Sequence, residues 1–189
     1  MTSTDRAYFE RMYAERDDPW QFATSAYERR KYQLSVASLP ASRYHNAFEP
    51  GCSIGVLSEH LAGRCRRLLV ADFMSDALKL ATERLERYRH VRVEERAIPE
   101  QWPDEMFDLI VLSEVAYYFD EPTLHEIVDR VESSTVHGGH VLGVHWRGET
   151  DYPLTGDEAH ELIARAKKLR SVVHHEEEQF VLDVWERVP

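Results

Sequence analysis

Small residues and acids crowd one short stretch, Phe48-Glu49-Pro50-Gly51-Cys52-Ser53-Ile54-Gly55, in the order expected where a buried strand turns sharply into a helix. Small residues at 51, 53 and 55 let the backbone approach a bound molecule closely, and glycine permits the positive φ that such a turn needs. Glu49 adds a carboxylate at the strand's end. Seventeen positions after Gly55, the apolar run Leu68-Leu69-Val70-Ala71 ends in Asp72. Strand, small-residue turn, helix, strand and acid make a nucleoside-binding α/β unit. An acid at the end of the second strand accepts two hydrogen bonds from ribose hydroxyls, with its charge assisting them, and repels a phosphate.

A dinucleotide site calls for G-x-G-x-x-G and a helix N-terminus open to a pyrophosphate. Here the spacing is G-x-S-x-G with Glu49 before it. A carboxylate beside the loop favours a ligand with positive charge, which S-adenosylmethionine carries on its sulfonium and its α-ammonium. The expected donor contacts are therefore Glu49, Gly51, Cys52, Ser53, Gly55 and Asp72.

A second chemical cluster follows the apolar run Phe107-Asp108-Leu109-Ile110-Val111-Leu112, which reads as a central parallel strand. Ligands of open α/β sheets bind outside the carboxyl ends of the strands. That places Ser113 on the donor side, with Glu114, Tyr117 and Tyr118 toward the acceptor. The run His140-Val141-Leu142-Gly143-Val144-His145-Trp146 is expected as a fifth strand that brings His145, Trp146 and Arg147 to the same rim.

Methyl transfer from a sulfonium needs nucleophile, methyl carbon and sulfur in line, so positioning and exclusion of water are the main demands on a protein. The donor is already activated and no metal is called for. Histidines 174 and 175 are adjacent on an expected strand and point to opposite faces, a poor geometry for joint ligation. An amine acceptor reacts only as its free base, so a carboxylate or imidazole near it helps, and Glu114 and His145 are the residue types for that role. A satisfied structural histidine is an equal reading of His145.

Four segments in order carry a family resemblance: Asp18-Pro19-Trp20, Ser25-Ala26-Tyr27-Glu28-Arg29-Arg30-Lys31-Tyr32, the glycine loop, and Leu112-Ser113-Glu114-Val115-Ala116-Tyr117-Tyr118. The loop resembles that of class I S-adenosylmethionine-dependent methyltransferases, and all four together resemble the nodulation protein S group over nearly the whole chain. The resemblance implies a Rossmann-like α/β fold, with a mostly parallel seven-stranded sheet, an antiparallel C-terminal hairpin and helices on both faces. It implies adenine contacts from the loop after the third strand, at Ala97 and Ile98, and donor-side roles for Tyr27 and Arg30. It also implies N-methylation of an amino sugar, since that group methylates the free amine of partly deacetylated chitooligosaccharides. Tyr117, Tyr118, Trp146 and Tyr152 suit stacking on a sugar ring. A hydroxyl acceptor, or a non-catalytic donor-binding regulator, stays open beside this reading.

The elements that must position these groups read as one domain over residues 1–189. Ser3 or Thr4 is expected to cap a first helix with Phe9, Met12 and Tyr13 on one face, and a second helix over 25–39 starts at a Ser25/Glu28 capping box. Residues 1–40 are expected to cover the donor site. A helix over 56–62 stops at Gly63, and Ser75 is expected to cap the next, whose stripe is Ala77, Leu78, Ala81, Leu85 and Tyr88. A helix over 121–133 precedes Gly138-Gly139, expected as a turn, and residues 171–188 read as a hairpin.

A net charge of −11 argues against nucleic acid and anionic membranes as partners, leaving a small-molecule acceptor. Two irregularly spaced cysteines fit neither a disulfide scaffold nor a zinc site and suggest a reducing cytoplasm. The N-terminal residues lack a signal-peptide core, and no apolar run approaches the roughly 18 residues of a membrane span.

Overall fold

The computed structural model describes residues 2–189. The chain falls into two compact units, Asp5–Ala97, and residues 2–4 with Ile98–Pro189. Seven strands lie in one mixed sheet of order β3-β2-β1-β4-β5-β7-β6, the arrangement of class I methyltransferases.

In the first unit the order is α1 (Arg6–Glu15), α2 (Ala26–Ser38), β1 (Ala47–Pro50), α3 (Val56–Ala62), β2 (Leu68–Asp72), α4 (Ser75–Leu85) and β3 (Val91–Glu95). Strands β1, β2 and β3 pair in parallel. Every residue of β1 and β2 is buried, which their nearly unbroken apolar sequences require. Helix α4 buries Ala77, Leu78, Ala81 and Leu85, and each fully covered leucine contributes about 2 kcal/mol. Its start differs from expectation. Ser75 is the first helical residue rather than the cap, Met74 stands at the cap position, and Asp72 accepts the Met74 N–H at 2.9 Å instead. Tyr88 lies beyond the helix end. Ser25 does cap α2, accepting from the Glu28 N–H at 3.3 Å. Helix α1 is capped by Asp5, not by Ser3 or Thr4.

The second unit runs β4 (Phe107–Ser113), a 3-10 turn (Ala116–Tyr118), α5 (Glu121–Ser134), β5 (Thr135–Trp146), α6 (Gly156–Ala164), β6 (Leu169–Glu176) and β7 (Phe180–Arg187). Strands β4 and β5 are parallel, while β7 runs antiparallel to both β5 and β6. The side chains of Phe107, Phe180 and Trp185 are fully buried in this core, against which α5 turns Leu124, Ile127, Val128 and Val131. Ser3 and Thr4 belong here: the Thr4 N–H donates to the Tyr118 carbonyl at 2.7 Å, and the Ser3 hydroxyl accepts from the Asp120 N–H at 3.0 Å. Strand β5 starts at Thr135, well before the expected His140, and Gly138-Gly139 lies inside it rather than in a turn. Opposite that pair the register with β4 shifts between Phe107 and Leu109. A Cβ on Gly139 would lie 2.9 Å from the Val136 carbonyl oxygen, so the glycines mark an irregularity within a strand.

Candidate functional site

In the unit Asp5–Ala97, the loop between β1 and α3 alternates left-handed residues: Gly51, Ser53 and Gly55 have φ of 72°, 49° and 76°. Gly55 is required twice over, because a Cβ there would also sit 3.2 Å from the Ala81 Cα. Ser53 adopts the same region as a non-glycine residue, and the structure holds it there. Its N–H donates to Asp72 Oδ2 at 2.9 Å, while the Cys52 N–H donates to the Ala71 carbonyl at 2.9 Å. From α4, Arg84 Nε donates to the Ile54 carbonyl at 2.9 Å. The loop is thus pinned by both β2 and α4.

Two acids stand behind it. Burial raises the Asp72 carboxyl, opposed by hydrogen bonds from the Met74, Ser53 and Phe73 backbone. Glu49 is 2% exposed and accepts the Ser58 hydroxyl at 2.6 Å. Burial pushes its pKa up to about 8, with the Asp72 charge adding to the rise. The same burial, with both acids nearby, pushes the Cys52 thiol up.

Helix α1 reaches this loop. The Tyr13 hydroxyl is 2.6 Å from Ser53 Oγ, and Phe9 meets Phe73 edge-on at 5.2 Å, so α1 lies across the carboxyl ends of β1 and β2. Nothing in the sequence beyond helical spacing marked Tyr13 as a loop contact. Trp20 packs edge-on to Tyr13 at 5.6 Å and stacks on Phe22 at 5.5 Å. On α2, Tyr27 is half-buried and Arg30 exposed, while the cation beside Tyr27 is Lys31, with Nζ 5.0 Å from the ring centroid. Lys31 is 1% exposed and paired with Glu28 at 2.9 Å. Ala97 is half-buried, and the preceding Arg96 N–H donates to the Asp72 carbonyl at 2.9 Å, tying the loop after β3 to the end of β2.

In the unit Ile98–Pro189, Ile98 is half-buried and Ser113 is buried at the end of β4. Glu114 follows with φ of 51°, a left-handed non-glycine residue. Such a conformation is sparsely populated and clusters at functional sites. Its N–H donates to the Val144 carbonyl, and its Oε2 accepts both the Trp146 N–H at 3.0 Å and the Tyr117 hydroxyl. Tyr117 stacks on Tyr152 at 5.2 Å, and Tyr118 meets both rings edge-on at 4.8 and 4.6 Å. Burial, then the Glu114 charge, raises the Tyr117 phenol. Trp146 is 38% exposed and covers Gly148. A carboxylate flanked by aromatic faces is suited to a cationic group.

Of the two readings of His145, a base beside the acceptor or a satisfied structural histidine, its surroundings fit the second. It is wholly buried; its Nε2 faces the Ala116 N–H at 3.0 Å and its Nδ1 faces His160 Nε2 at 2.9 Å. With both ring nitrogens engaged inside the protein, His145 has no nitrogen directed at an acceptor, and its structural reading prevails over that of a general base. Among the described residues, no group of three or more His, Cys, Asp or Glu is placed to hold a metal ion, and no helix is long and apolar enough to cross a membrane.

A family model for nodulation protein S matches residues 4–136. The chain belongs to the nodulation protein S family. The matched stretch contains the glycine loop, Asp72 and Glu114 with its tyrosines, and stops before His145 and Tyr152. Nodulation protein S of Rhizobium tropici is 32% identical over 128 residues, covering 67% of this chain and 54% of that protein. This chain spans about half the length of the curated nodulation S proteins it matches. A crystal structure of the N-methyltransferase NodS from Bradyrhizobium japonicum WM9 in complex with S-adenosyl-L-homocysteine is 26% identical, with a TM-score of 0.85, over 96% of this chain and 97% of that one. A Pseudomonas syringae crystal structure, described as a candidate methyltransferase, is 40% identical with a TM-score of 0.78, over 86% and 100% of the two chains.

Proposed function

We propose that this member of the nodulation protein S family is an S-adenosylmethionine-dependent N-methyltransferase acting on a small, amine-bearing, amino-sugar-like acceptor. The observation that carries the reading is the loop of three left-handed residues fastened to Asp72, in a chain similar along nearly its whole length to an N-methyltransferase crystallised with S-adenosyl-L-homocysteine. Both units act as one methyltransferase domain. The backbone of Gly51, Cys52, Ser53 and Gly55 lies against the donor, Asp72 accepts from the ribose hydroxyls through lone pairs left by its three backbone donors, and Ala97 lies beside the base. Glu49, Tyr27 and Arg30 serve the donor's amino-acid end, with Lys31 orienting the Tyr27 ring.

The acceptor's nitrogen lone pair attacks the methyl carbon, the carbon–sulfur bond breaks, and its electrons leave on sulfur as neutral S-adenosylhomocysteine. The new ammonium then sheds a proton. Glu114 draws the acceptor amine in by charge, and the faces of Tyr117, Tyr118, Tyr152 and Trp146 bear on its ring. The net charge of −11 favours such a cationic acceptor over nucleic acid, and the buried thiols of Cys52 and Cys65, joined in no disulfide, support a cytoplasmic setting. Calorimetry with S-adenosylmethionine, S-adenosylhomocysteine and NAD tests the donor: micromolar binding of the sulfur ligands alone is expected, abolished by Asp72→Ala. Mass spectrometry of products from glucosamine oligomers then locates the methyl group. Binding of NAD, unchanged affinity at Asp72→Ala, or a methyl group on oxygen would each overturn the corresponding part.

A further inference from the structure

Behind the acceptor-side residues runs a continuous chain of hydrogen bonds that extends past the family-matched stretch. The N–H groups of Ala116 and Val115 point at His145 Nε2, at 3.0 and 3.4 Å. His145 Nδ1 is 2.9 Å from His160 Nε2, His160 Nδ1 is 2.6 Å from Asp183 Oδ2, and Asp183 Oδ1 is 2.8 Å from Nδ1 of the half-exposed His174. His145, His160 and Asp183 are all buried.

The donors and acceptors can be assigned in one way. A backbone N–H only donates, so His145 Nε2 carries no proton and Nδ1 must carry one. That proton is donated to His160 Nε2, which is therefore bare, and His160 donates from Nδ1 to the Asp183 carboxylate. The charge of Asp183 and the imidazole dipoles thus align toward residues 115 and 116, immediately after the left-handed Glu114. Tyr117 closes the assembly, its ring edge-on to His145 at 5.2 Å and its hydroxyl on Glu114.

We propose that His145, His160 and Asp183 are positioning residues whose fixed tautomers hold the turn at 114–118, and with it Glu114 and Tyr117, in the conformation that receives the acceptor. This rests on the acceptor reading above. Its histidines and Asp183 lie on β5, α6 and β7, beyond the stretch that the family model matches.

The test compares His160→Phe, which takes away the acceptor for His145 Nδ1–H, with His160→Gln, whose amide oxygen can replace it. Three readouts apply to the full chain: imidazole 15N spectra, amide exchange of Ala116, and steady-state kinetics beside calorimetry with S-adenosylhomocysteine. Wild type is expected to show His145 protonated on Nδ1 only. In His160→Phe, Ala116 exchange should speed up at least about tenfold, and kcat/KM for the acceptor should drop by about 10–100-fold, since small misplacements have effects of that size, with product affinity unchanged. His160→Gln should recover most of both losses. Protonation of His145 on Nε2, or unaltered Ala116 exchange in His160→Phe, would overturn the relay. If no amine is methylated by wild type, the acceptor reading fails, and the spectra and exchange rates still decide the relay by themselves.

Discussion

Replacing Glu49 by glutamine should stabilise the free protein while weakening its hold on a cationic ligand. The Glu49 carboxyl titrates near 8 in the fold against an ordinary value of 4.5, because it is buried and lies close to Asp72. Between those values the folded chain keeps a proton that the unfolded chain has lost. Stability therefore falls as pH rises from about 4.5 to about 8, by roughly 1.4 kcal/mol per pH unit. Glutamine keeps an oxygen for the Ser58 hydroxyl and does not titrate. The stability gap between Glu49→Gln and wild type should widen by about 3 kcal/mol between pH 5 and pH 7, or about 6–12 °C in melting temperature for a chain of this size. Urea unfolding of both proteins at the two pH values measures it. A cationic donor bound near Glu49 should also draw it into its ionised form, so binding at pH 7 should release a proton in wild type and none in the variant, read from the dependence of binding enthalpy on buffer. A gap independent of pH would mean that Glu49 is already charged in the free protein, and the argument from burial would be wrong.

Three further outcomes follow from the geometry. Gly55→Ala places a Cβ at φ 76° and 3.2 Å from Ala81, so unfolding free energy should fall by about 2 kcal/mol or more; an unchanged urea midpoint would contradict it. Tyr13→Phe removes the hydrogen bond to Ser53, worth about 1 kcal/mol or roughly fivefold in donor affinity. If α1 closes over the donor, S-adenosylhomocysteine should slow proteolysis within residues 1–40 in wild type and less so in this variant, whereas equal cleavage with and without ligand would remove the lid role. Glu114→Gln keeps an oxygen for the Trp146 N–H but loses the charge, so turnover should drop by about 100-fold with product affinity intact; normal turnover would shift the acceptor's carboxylate elsewhere.

The order of strands and helices was legible because local signals agreed with tertiary ones. The apolar runs 68–71 and 109–112 became buried strands, and Gly63 and Ser25 ended and began helices where their chemistry says they should. The left-handed turn at the glycine loop and the place of Asp72 at the end of β2 were legible for the same reason, since glycines at short spacing and an acid closing an apolar run are local signals. The departures came where a residue had two local uses. Serine at 75 and serine or threonine at 3 and 4 can cap a helix, but Asp72 and Asp5 supply the acceptors, and Ser3 binds the Asp120 N–H, far away in sequence. Gly138-Gly139 suits a turn as well as a strand irregularity, and only the register against β4 selects the second.

The site's side chains were harder to read because their roles depend on partners distant in the chain. The strand end suits His145 to an acceptor or to a structural role, and in the structure His160 on α6 takes its Nδ1, with Asp183 on β7 in turn bonding His160. Neither partner carries a local motif. Lys31 and Arg30 show the same dependence within one helix turn: both are cations near Tyr27, but the one that points inward meets Glu28, and the other is exposed. Burial of a lysine requires a counter-charge nearby, and Glu28 at three residues' spacing was a visible candidate. Glu114 is the converse case. It follows a mostly apolar strand, where a carboxylate is costly without donors, and the structure supplies donors from Tyr117 and Trp146. Both donors engage a single oxygen, Oε2. A left-handed backbone at a non-glycine position, with its carboxylate beside three tyrosine rings, is the kind of strain that clusters at functional sites. The proposal gives the acceptor amine to Glu114 for that reason, and not to the better-buried His145.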